Sequence, residues 1–434
     1  MRDARRSAEN FGIPDLALAV VPEPLTNQKP EAIRRMVDGA IEQIIAGLTQ
    51  NPFAPAEPGK EIVLLEDKEL VFEGEDELEA LERMNETFLS YGWSDGFPLR
   101  APTPRAVEAM LAGTRRDPEA VVAVLEPGFG QATVLKVAAN AVMAGCLPQH
   151  LPVLLAAIEC LAEPAMNLRN KAMSTGSHAP LIWVNGPVRK RAGLNSGVCA
   201  LGPGAPSRAN SAIGRALRLC MMNLGHCYPG VSDMDTVGTP AKYAMCVAEN
   251  EEQSPFAPYH VERGFRAEQS VVTVHFVYGL CELFDFVSTE PQPLLEVFAS
   301  PALNLAQVST AMWLIGHRAD PRSGATEREH HTLFLCPDHA RLLATHGVDK
   351  QAIRRELFKR ARIPFRQAML NKERHAMETA RPELMWLWES PETMVPVVED
   401  PQCYELLVVG GAAGRGTFFW GAGAPVSRAI DEEE

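Results

Sequence analysis

Ser270-Val-Val-Thr-Val-His-Phe-Val277 decides the fold class. Its side chains alternate as those of a strand do, with successive residues sent to opposite faces. Toward the N-terminus, Leu181-Ile-Trp-Val184 is a buried strand that ends at Asn185-Gly-Pro187. Toward the C-terminus, Leu333-Phe-Leu-Cys336 is a short strand. Tyr404-Glu-Leu-Leu-Val-Val409 is another, and it enters Gly410-Gly-Ala-Ala-Gly-Arg-Gly416. Helical patterns lie between them, over 132–145, 151–162, 208–224, 337–346 and 350–362. Strands interleaved with helices indicate an α/β (mixed α+β) protein.

Before this region, Asp76–Ser90 is an acidic helix, and Thr103-Pro104 opens another, with Thr as N-cap and Pro at the first helical position. The loop Tyr91-Gly-Trp-Ser-Asp-Gly-Phe-Pro-Leu99 mixes turn formers with aromatic residues, which marks it as a possible site. Residues 61–72 suggest a short strand pair, and Asn51-Pro-Phe-Ala-Pro-Ala-Glu-Pro-Gly59 is a Pro-rich connector. Ile13–Val21 suits a short buried strand and Pro30–Leu48 an amphipathic helix. One strand and one helix cannot bury their apolar faces alone, so this piece needs a partner surface. The expected division is an α/β tail over 1–50, a linker over 51–75 and a large globular domain over 76–434.

A chain of 434 residues is long enough for two domains, or for one large domain with an appendage. Its 46% hydrophobic content predicts a substantial core. The formal net charge of −14 argues against nucleic-acid binding, since a polyanion is repelled over most of such a surface. An anionic small molecule is still admissible, because a few local Arg and N–H groups outweigh a distant field. The nine Cys are odd in number, include no C-x-x-C pair and follow no export signal, which points to reduced thiols in a cytoplasmic protein. The apolar run 141–166 is interrupted by Pro148, Gln149, His150 and Pro152, so it is expected as two buried helical pieces and not as a membrane span.

The densest constellation is Asn195-Ser-Gly-Val-Cys-Ala-Leu-Gly-Pro-Gly-Ala-Pro-Ser-Arg-Ala-Asn-Ser-Ala-Ile-Gly-Arg215. Gly202 and Gly204 allow close approach of backbone to a ligand, and the segment feeds a helix N-terminus that attracts anions. Arg208 and Arg215 offer charge-assisted contacts, and Asn195 and Asn210 offer donors and acceptors. The competing reading is a capped helix after an ordinary loop, with Arg215 and Arg218 on its wet face. Cys199 lies inside this loop and is the better placed thiol to act as a nucleophile. Cys146 falls near the C-terminal end of a helix, the wrong pole for a thiolate, which favours a small buried residue. Ser174, Thr175 and His178 put hydroxyls beside a base, or are turn hydroxyls that satisfy their own backbone. Lys242 follows a turn. Glu249-Asn-Glu-Glu252, with Tyr259-His260 and Arg263, gathers acid, base and aromatic groups, or forms a salt-bridged surface loop. His330-His331 and Cys336-Pro-Asp-His339 match no standard zinc spacing, and Asp338 is better explained as a cap. The turn after Val409 lacks the following helix and the distant acid of a dinucleotide loop. No cofactor is identified.

Asn140-Ala-Val-Met-Ala-Gly-Cys146, Ile182-Trp-Val-Asn-Gly-Pro187, Arg208-Ala-Asn-Ser-Ala-Ile-Gly-Arg-Ala216 and Lys242-Tyr243 through Ala248-Glu-Asn-Glu-Glu252 occur in a specific order. With Asp95-Gly-Phe-Pro98 and Val408-Val-Gly-Gly411, the chain resembles the UGSC family of (seleno)proteins over nearly its whole length. The resemblance implies a preceding α/β thiol domain with a U/C-G-S-C motif, and hence selenol or thiol chemistry. This sequence has no such motif, and its start looks like the tail of that domain. The thiol is then expected on a partner polypeptide, or the sequence is a piece of a longer chain.

The leading expectation is the larger subunit of a thiol-dependent oxidoreductase acting on a small anionic substrate. Asn195, Arg208, Asn210 and Arg215 would hold the anionic group. Lys242 and Glu249 would transfer protons, with His178 as reserve base. A self-sufficient lyase or hydrolase using Ser174, Thr175 and His178 is one alternative. A non-catalytic metabolite-binding subunit is the other.

Overall fold

The computed structural model describes residues 16–21, 30–49, 70–304, 306–316, 328–369, 374–412 and 414–431. The first helices are α1 (Pro30–Asp38) and α2 (Ile41–Thr49), where the periodicity suggests one helix over Pro30–Leu48. The break falls at Gly39, a poor helix former, and the Ala40 N–H turns back to the Val37 carbonyl (2.9 Å). Residues 16–21 form no strand, contrary to expectation. The Val20 N–H donates to the Gln43 side chain (3.3 Å) and not to a neighbouring strand. Most of the expected strand pair over 61–72 and of the linker over 51–75 lies outside the described residues, and 70–72 form no strand.

Helix α3 (Glu77–Ser90) is capped by Asp76, whose side chain accepts from the Glu79 N–H (2.9 Å), and it buries Met84 and Phe88. Helix α4 (Pro104–Leu111) begins as the sequence suggests, with Thr103 as N-cap. A hairpin of β1 (Val121–Leu125) and β2 (Gly130–Thr133) follows, then α5 (Val134–Met143) and α6 (Leu151–Ala162). Nearly every residue of α6 is buried, so the apolar run goes into the core. Among the described residues no single helix is long and apolar enough to cross a membrane. One pair passes by length and composition together, Pro148–Ala162 with Pro164–Ala172, but it is bent by 73°.

The main sheet has seven strands. Its first half is β3 (Ala179–Asn185), β4 (Cys246–Ala248) and β5 (Val271–Phe284), with α7 (Arg208–Asn223) in the crossover from β3 to β4. Helix α8 (Pro291–Ala299) leads on to β6 (His331–Leu335), two crossover helices and the last strands. Those helices are α9 (Pro337–Thr345) and α10 (Lys350–Arg360), and a small separate pair, β7 (Arg362–Pro364) with β8 (Met394–Pro396), precedes β9 (Tyr404–Val408) and β10 (Arg415–Gly421). The spatial order is β4-β3-β5-β10-β6-β9, and β11 (Val426–Ala429) pairs with the start of β5. β3 is parallel to β4 and antiparallel to β5, while β6 is parallel to β9 and antiparallel to β10. The two halves therefore share one topology and meet through the antiparallel β5–β10 pair. No internal repeat is visible in the sequence.

The sheet curls until its edges touch, and the Asn250 N–H beyond β4 donates to Val408 at the end of β9 (2.7 Å). Alternate residues Leu181, Trp183, Val247, Val277, Phe334, Leu407 and Phe419 fill the inside of the curl. On the outer face, Ile182, Val184, Val272 and Val274 pack with α5, α6 and α7. Leu333, Leu335, Leu406 and Phe418 pack with α8, α9 and α10. Burial on both faces explains the near-continuous apolar runs of these strands. Each fully buried side chain of this kind contributes roughly 1.5–3 kcal/mol. This is an α/β fold with mixed strand directions.

Candidate functional site

A cleft of about 1140 Å³ opens between the loop after α3 and the segment 226–243, lined by Tyr91, Asp95, Arg218, His226, Tyr228, Asp233, Asp235 and Lys242 among others. Helix α7 carries Arg218 to its floor. Beyond the helix, the Ser232 and Asp233 N–H groups both turn back to the Tyr228 carbonyl (3.1 and 2.9 Å). Asp235 then accepts from the Val237 and Gly238 N–H groups (3.2 and 2.9 Å), and Thr239 caps the short turn that presents Lys242.

Lys242 Nζ lies 2.9 and 3.0 Å from the two oxygens of Asp233 and 2.8 Å from Asp235. Arg218 donates to Asp233 (2.9 Å) and contacts the Cys227 sulfur (3.5 Å), while the Ser177 hydroxyl donates to Asp235 (3.0 Å). Burial alone would raise the Asp235 carboxyl. The Lys242, Gly238, Ser177 and Val237 contacts outweigh it and hold Asp235 down to about 2. Two cations and two carboxylates thus balance on one floor.

On the cleft wall, Tyr228 Oη and His226 Nδ1 are 3.4 Å apart. Burial, with the Lys136 charge, lowers His226, so its imidazole is neutral near pH 7, and burial raises the Tyr228 hydroxyl. His226 has a left-handed backbone (φ 55°), as does Phe129 (φ 59°) in the β1–β2 turn beside it. Such strain in non-glycine residues persists where the surroundings over-determine it and clusters at functional sites. Gly128 is required there: its N–H donates to the Gly225 carbonyl (2.9 Å), and a Cβ would meet the His226 side chain at 2.5 Å.

The structure brings some of the sequence candidates to this floor and leaves others apart. Lys242 is on it. His178 is close enough to feel the Lys242 and Asp235 charges, and burial with Lys171 and Lys242 pushes it down to about 4, so it is neutral at pH 7. Its ring stacks on Tyr278 (4.5 Å), and its Nδ1 is buried without a hydrogen-bond partner. Thr175 presents its carbonyl to the Thr236 N–H (3.1 Å), and the Ser174 hydroxyl accepts from the Gly176 N–H (3.0 Å), which is the turn-forming role.

The Gly-rich segment is tied up in itself. Asn210 bonds the Asn195 carbonyl (2.8 Å) and the Ala200 carbonyl (2.9 Å), and its own oxygen accepts the Asn195 N–H (2.9 Å). The Asn195 amide donates to Val198 and Ser207 (both 2.9 Å). Gly202 and Gly204 both take positive φ (88° and 116°). Arg208 is exposed at the head of α7. Arg215 is not on a wet face but is locked onto Asp95 (2.7 and 2.8 Å). Cys199 is exposed, whereas Cys146 is fully buried and its thiol is pushed up to about 12 by burial.

Glu249 is placed elsewhere. It is fully buried inside the curl, where Asn185 (2.5 Å) and the Tyr259 N–H (2.7 Å) donate to it and Lys350 stands 3.8 Å away. Glu249 is therefore no surface residue, whereas Glu251 and Glu252 in the loop that follows pair with Arg189 (2.7 and 3.1 Å), as the salt-bridged reading expects. Arg263 donates to the Tyr259 hydroxyl (2.9 Å) and pairs with Glu405, which accepts from His330 (2.7 Å), so one polar chain, buried except at Arg263, spans from β3 to β6. Among the described residues no three His, Cys, Asp or Glu side chains form a group that could hold a metal.

His226, Tyr228, Asp233 and Arg218 were not singled out as site residues from the sequence. The available signal is His226-Cys-Tyr-Pro-Gly-Val-Ser-Asp-Met-Asp235, a turn-rich run with titratable groups just past a helix end. No family model, curated protein or solved structure matches the chain.

Proposed function

We propose that the chain is an enzyme subunit that performs acid–base chemistry on a small molecule held in the cleft at Lys242. The observation that carries this reading is Lys242 clamped between Asp233 and Asp235 on the floor of an open cleft that a neutral His226–Tyr228 pair also lines. A neutral imidazole can take a proton near pH 7, and the Lys242 side chain is placed to stabilise the negative charge that develops as the proton leaves. A substrate with a carbonyl or carboxylate suits such a floor, which keeps the small anionic substrate as the favoured class.

The UGSC-like order of segments supports coupling this step to thiol chemistry, with the reactive Cys on a C-G-S-C partner chain and the pair acting as an oxidoreductase. The test is untargeted mass spectrometry of a metabolite extract incubated with the chain purified from its native source together with co-purifying proteins. Wild-type protein should deplete at least one small acid that the Lys242→Met and His226→Gln variants leave untouched. Depletion by the variants at the wild-type rate, or no depletion at all, would overturn the reading. Depletion by the chain alone, lost on His178→Gln, would instead favour the self-sufficient lyase or hydrolase.

A further inference from the structure

We infer that the small molecule held at Lys242 carries a flat aromatic ring, which Tyr91 and Tyr243 receive on the two walls of the cleft. This rests on the reading of that cleft as the substrate site and adds the class of its occupant.

The chain has six tyrosines, and three of them, Tyr91, Tyr228 and Tyr243, line this one cleft. Of the others, Tyr259 and Tyr404 are buried, and Tyr278 packs against the His178 ring (4.5 Å). Tyr91 belongs to the loop after α3, and Tyr243 closes the segment 226–243, so each wall supplies one ring. Tyr91 is 50% exposed and Tyr243 43%, which leaves ring surface open to a ligand.

Both rings are propped from behind. Tyr91 stands edge-on to Trp93 (5.2 Å), Trp93 stands edge-on to Phe88 (5.2 Å), and Phe88 lies in the core. The Trp93 carbonyl also accepts from Asn223 at the end of α7 (3.1 Å). Tyr243 stands edge-on to Phe97 (4.8 Å), and Phe97 lies against the Arg215 guanidinium (6.0 Å), which Asp95 fixes. Side chains that are already held lose little further freedom when a ligand arrives, so their contacts are retained as affinity.

The floor and the walls then divide the work. On the floor, Arg218 and Lys242 are matched by Asp233 and Asp235, so the charges can orient a polar head but leave no surplus field to retain it. Retention falls to the walls, where Leu89, Val231 and Val237 extend the apolar lining. The cleft volume of about 1140 Å³ is more than a bare small acid fills, and pockets of about 300–1,000 Å³ already suit drug-sized ligands. A ring stacked or set edge-on against a tyrosine gains roughly threefold to tenfold in affinity beyond its buried area, which a saturated body of the same size does not.

The test is saturation-transfer NMR on the full chain with 3-phenylpropionate and 3-cyclohexylpropionate, which share head and length and differ in the ring. The phenyl probe should bind at least about threefold more tightly, with the strongest transfer to its ring protons. Tyr91→Ala and Tyr243→Ala, with unchanged circular dichroism spectra, should each weaken it by about threefold to tenfold, and Tyr91→Phe and Tyr243→Phe should stay within about twofold of wild type. Equal affinity for the two probes, or no transfer to the phenyl probe, would overturn the inference with the wild-type chain alone. So would Ala variants that bind the phenyl probe as wild type does. Ring binding by a chain that depletes no acid from the metabolite extract would sink the acid–base step alone, and depletion confined to acids without a ring would sink the ring site alone.

Discussion

Asp95 takes both ends of the Arg215 fork, at 2.7 and 2.8 Å, across 120 residues of sequence. Arg215 also donates to the Phe97 and Pro98 carbonyls (3.2 and 3.1 Å), so one guanidinium pins the aromatic loop after α3 to helix α7. Asp95 is 3% exposed, and removing its partner would leave a buried carboxylate unpaired. Arg215→Met is expected to lower stability by about 3 kcal/mol, read from urea unfolding. Arg215→Lys should recover only part of that, because an ammonium cannot reproduce the bidentate geometry.

Stability should peak near pH 6.5. His330 is buried, which opposes its charge, but Cys403 and Glu405 outweigh this and raise it to about 9. A raised His contributes stability that is complete below its ordinary 6.5 and is lost as pH climbs through 9. On the acid side, burial pushes His275 and His331 down to about 3, so protonation of the unfolded chain draws stability away once pH falls below 6.5. Glu405, held down to about 2 by His330 and Arg263 against its burial, adds a further loss between 4.5 and 2. Thermal melts across pH 5–9 check this, and His330→Gln should flatten the decline between 6.5 and 9.

Gly421 is where β10 passes over the inside of the curl. A Cβ there would meet the His330 carbonyl at 1.9 Å and the His275 ring at 2.3 Å. Both neighbours are fixed, His275 by Thr332 (2.9 Å) and by the Gly423 carbonyl (3.0 Å). Gly421→Ala should therefore cost about 3 kcal/mol or prevent folding, as seen in soluble yield and melting temperature.

Cys199 and Cys146 should separate cleanly on alkylation. Iodoacetamide at pH 8 is expected to label Cys199 in the native chain and to reach Cys146 only after denaturation. Labelling of native Cys146 within minutes would contradict its placement beneath the sheet.

The strands at Leu181, Ser270, Leu333 and Tyr404 were legible because they are buried on both faces and so keep long apolar runs. Strand β10 was not, since Thr417-Phe-Phe-Trp-Gly421 follows a glycine cluster that masks its alternation. The partition of polar groups was harder still. Glu249 and Lys242 are close in sequence, yet one points into the curl and the other into the cleft, and strand curvature decides that, not composition. Arg215 looked available for an anion because its acid lies 120 residues away. Turn chemistry predicts Ser174 well, as its partner is two residues off.

The matching order of the two half-sheets has a historical consequence. Two copies of a half-length ancestor, each a β-α-β-β unit, would build this sheet if they paired antiparallel through their last strands, where β5 and β10 now meet. Fusion of the two genes would then have freed each copy to diverge. The N-terminal half carries Arg218 and Lys242 on its helix and turn, and the C-terminal half has Cys336 at the head of its own helix.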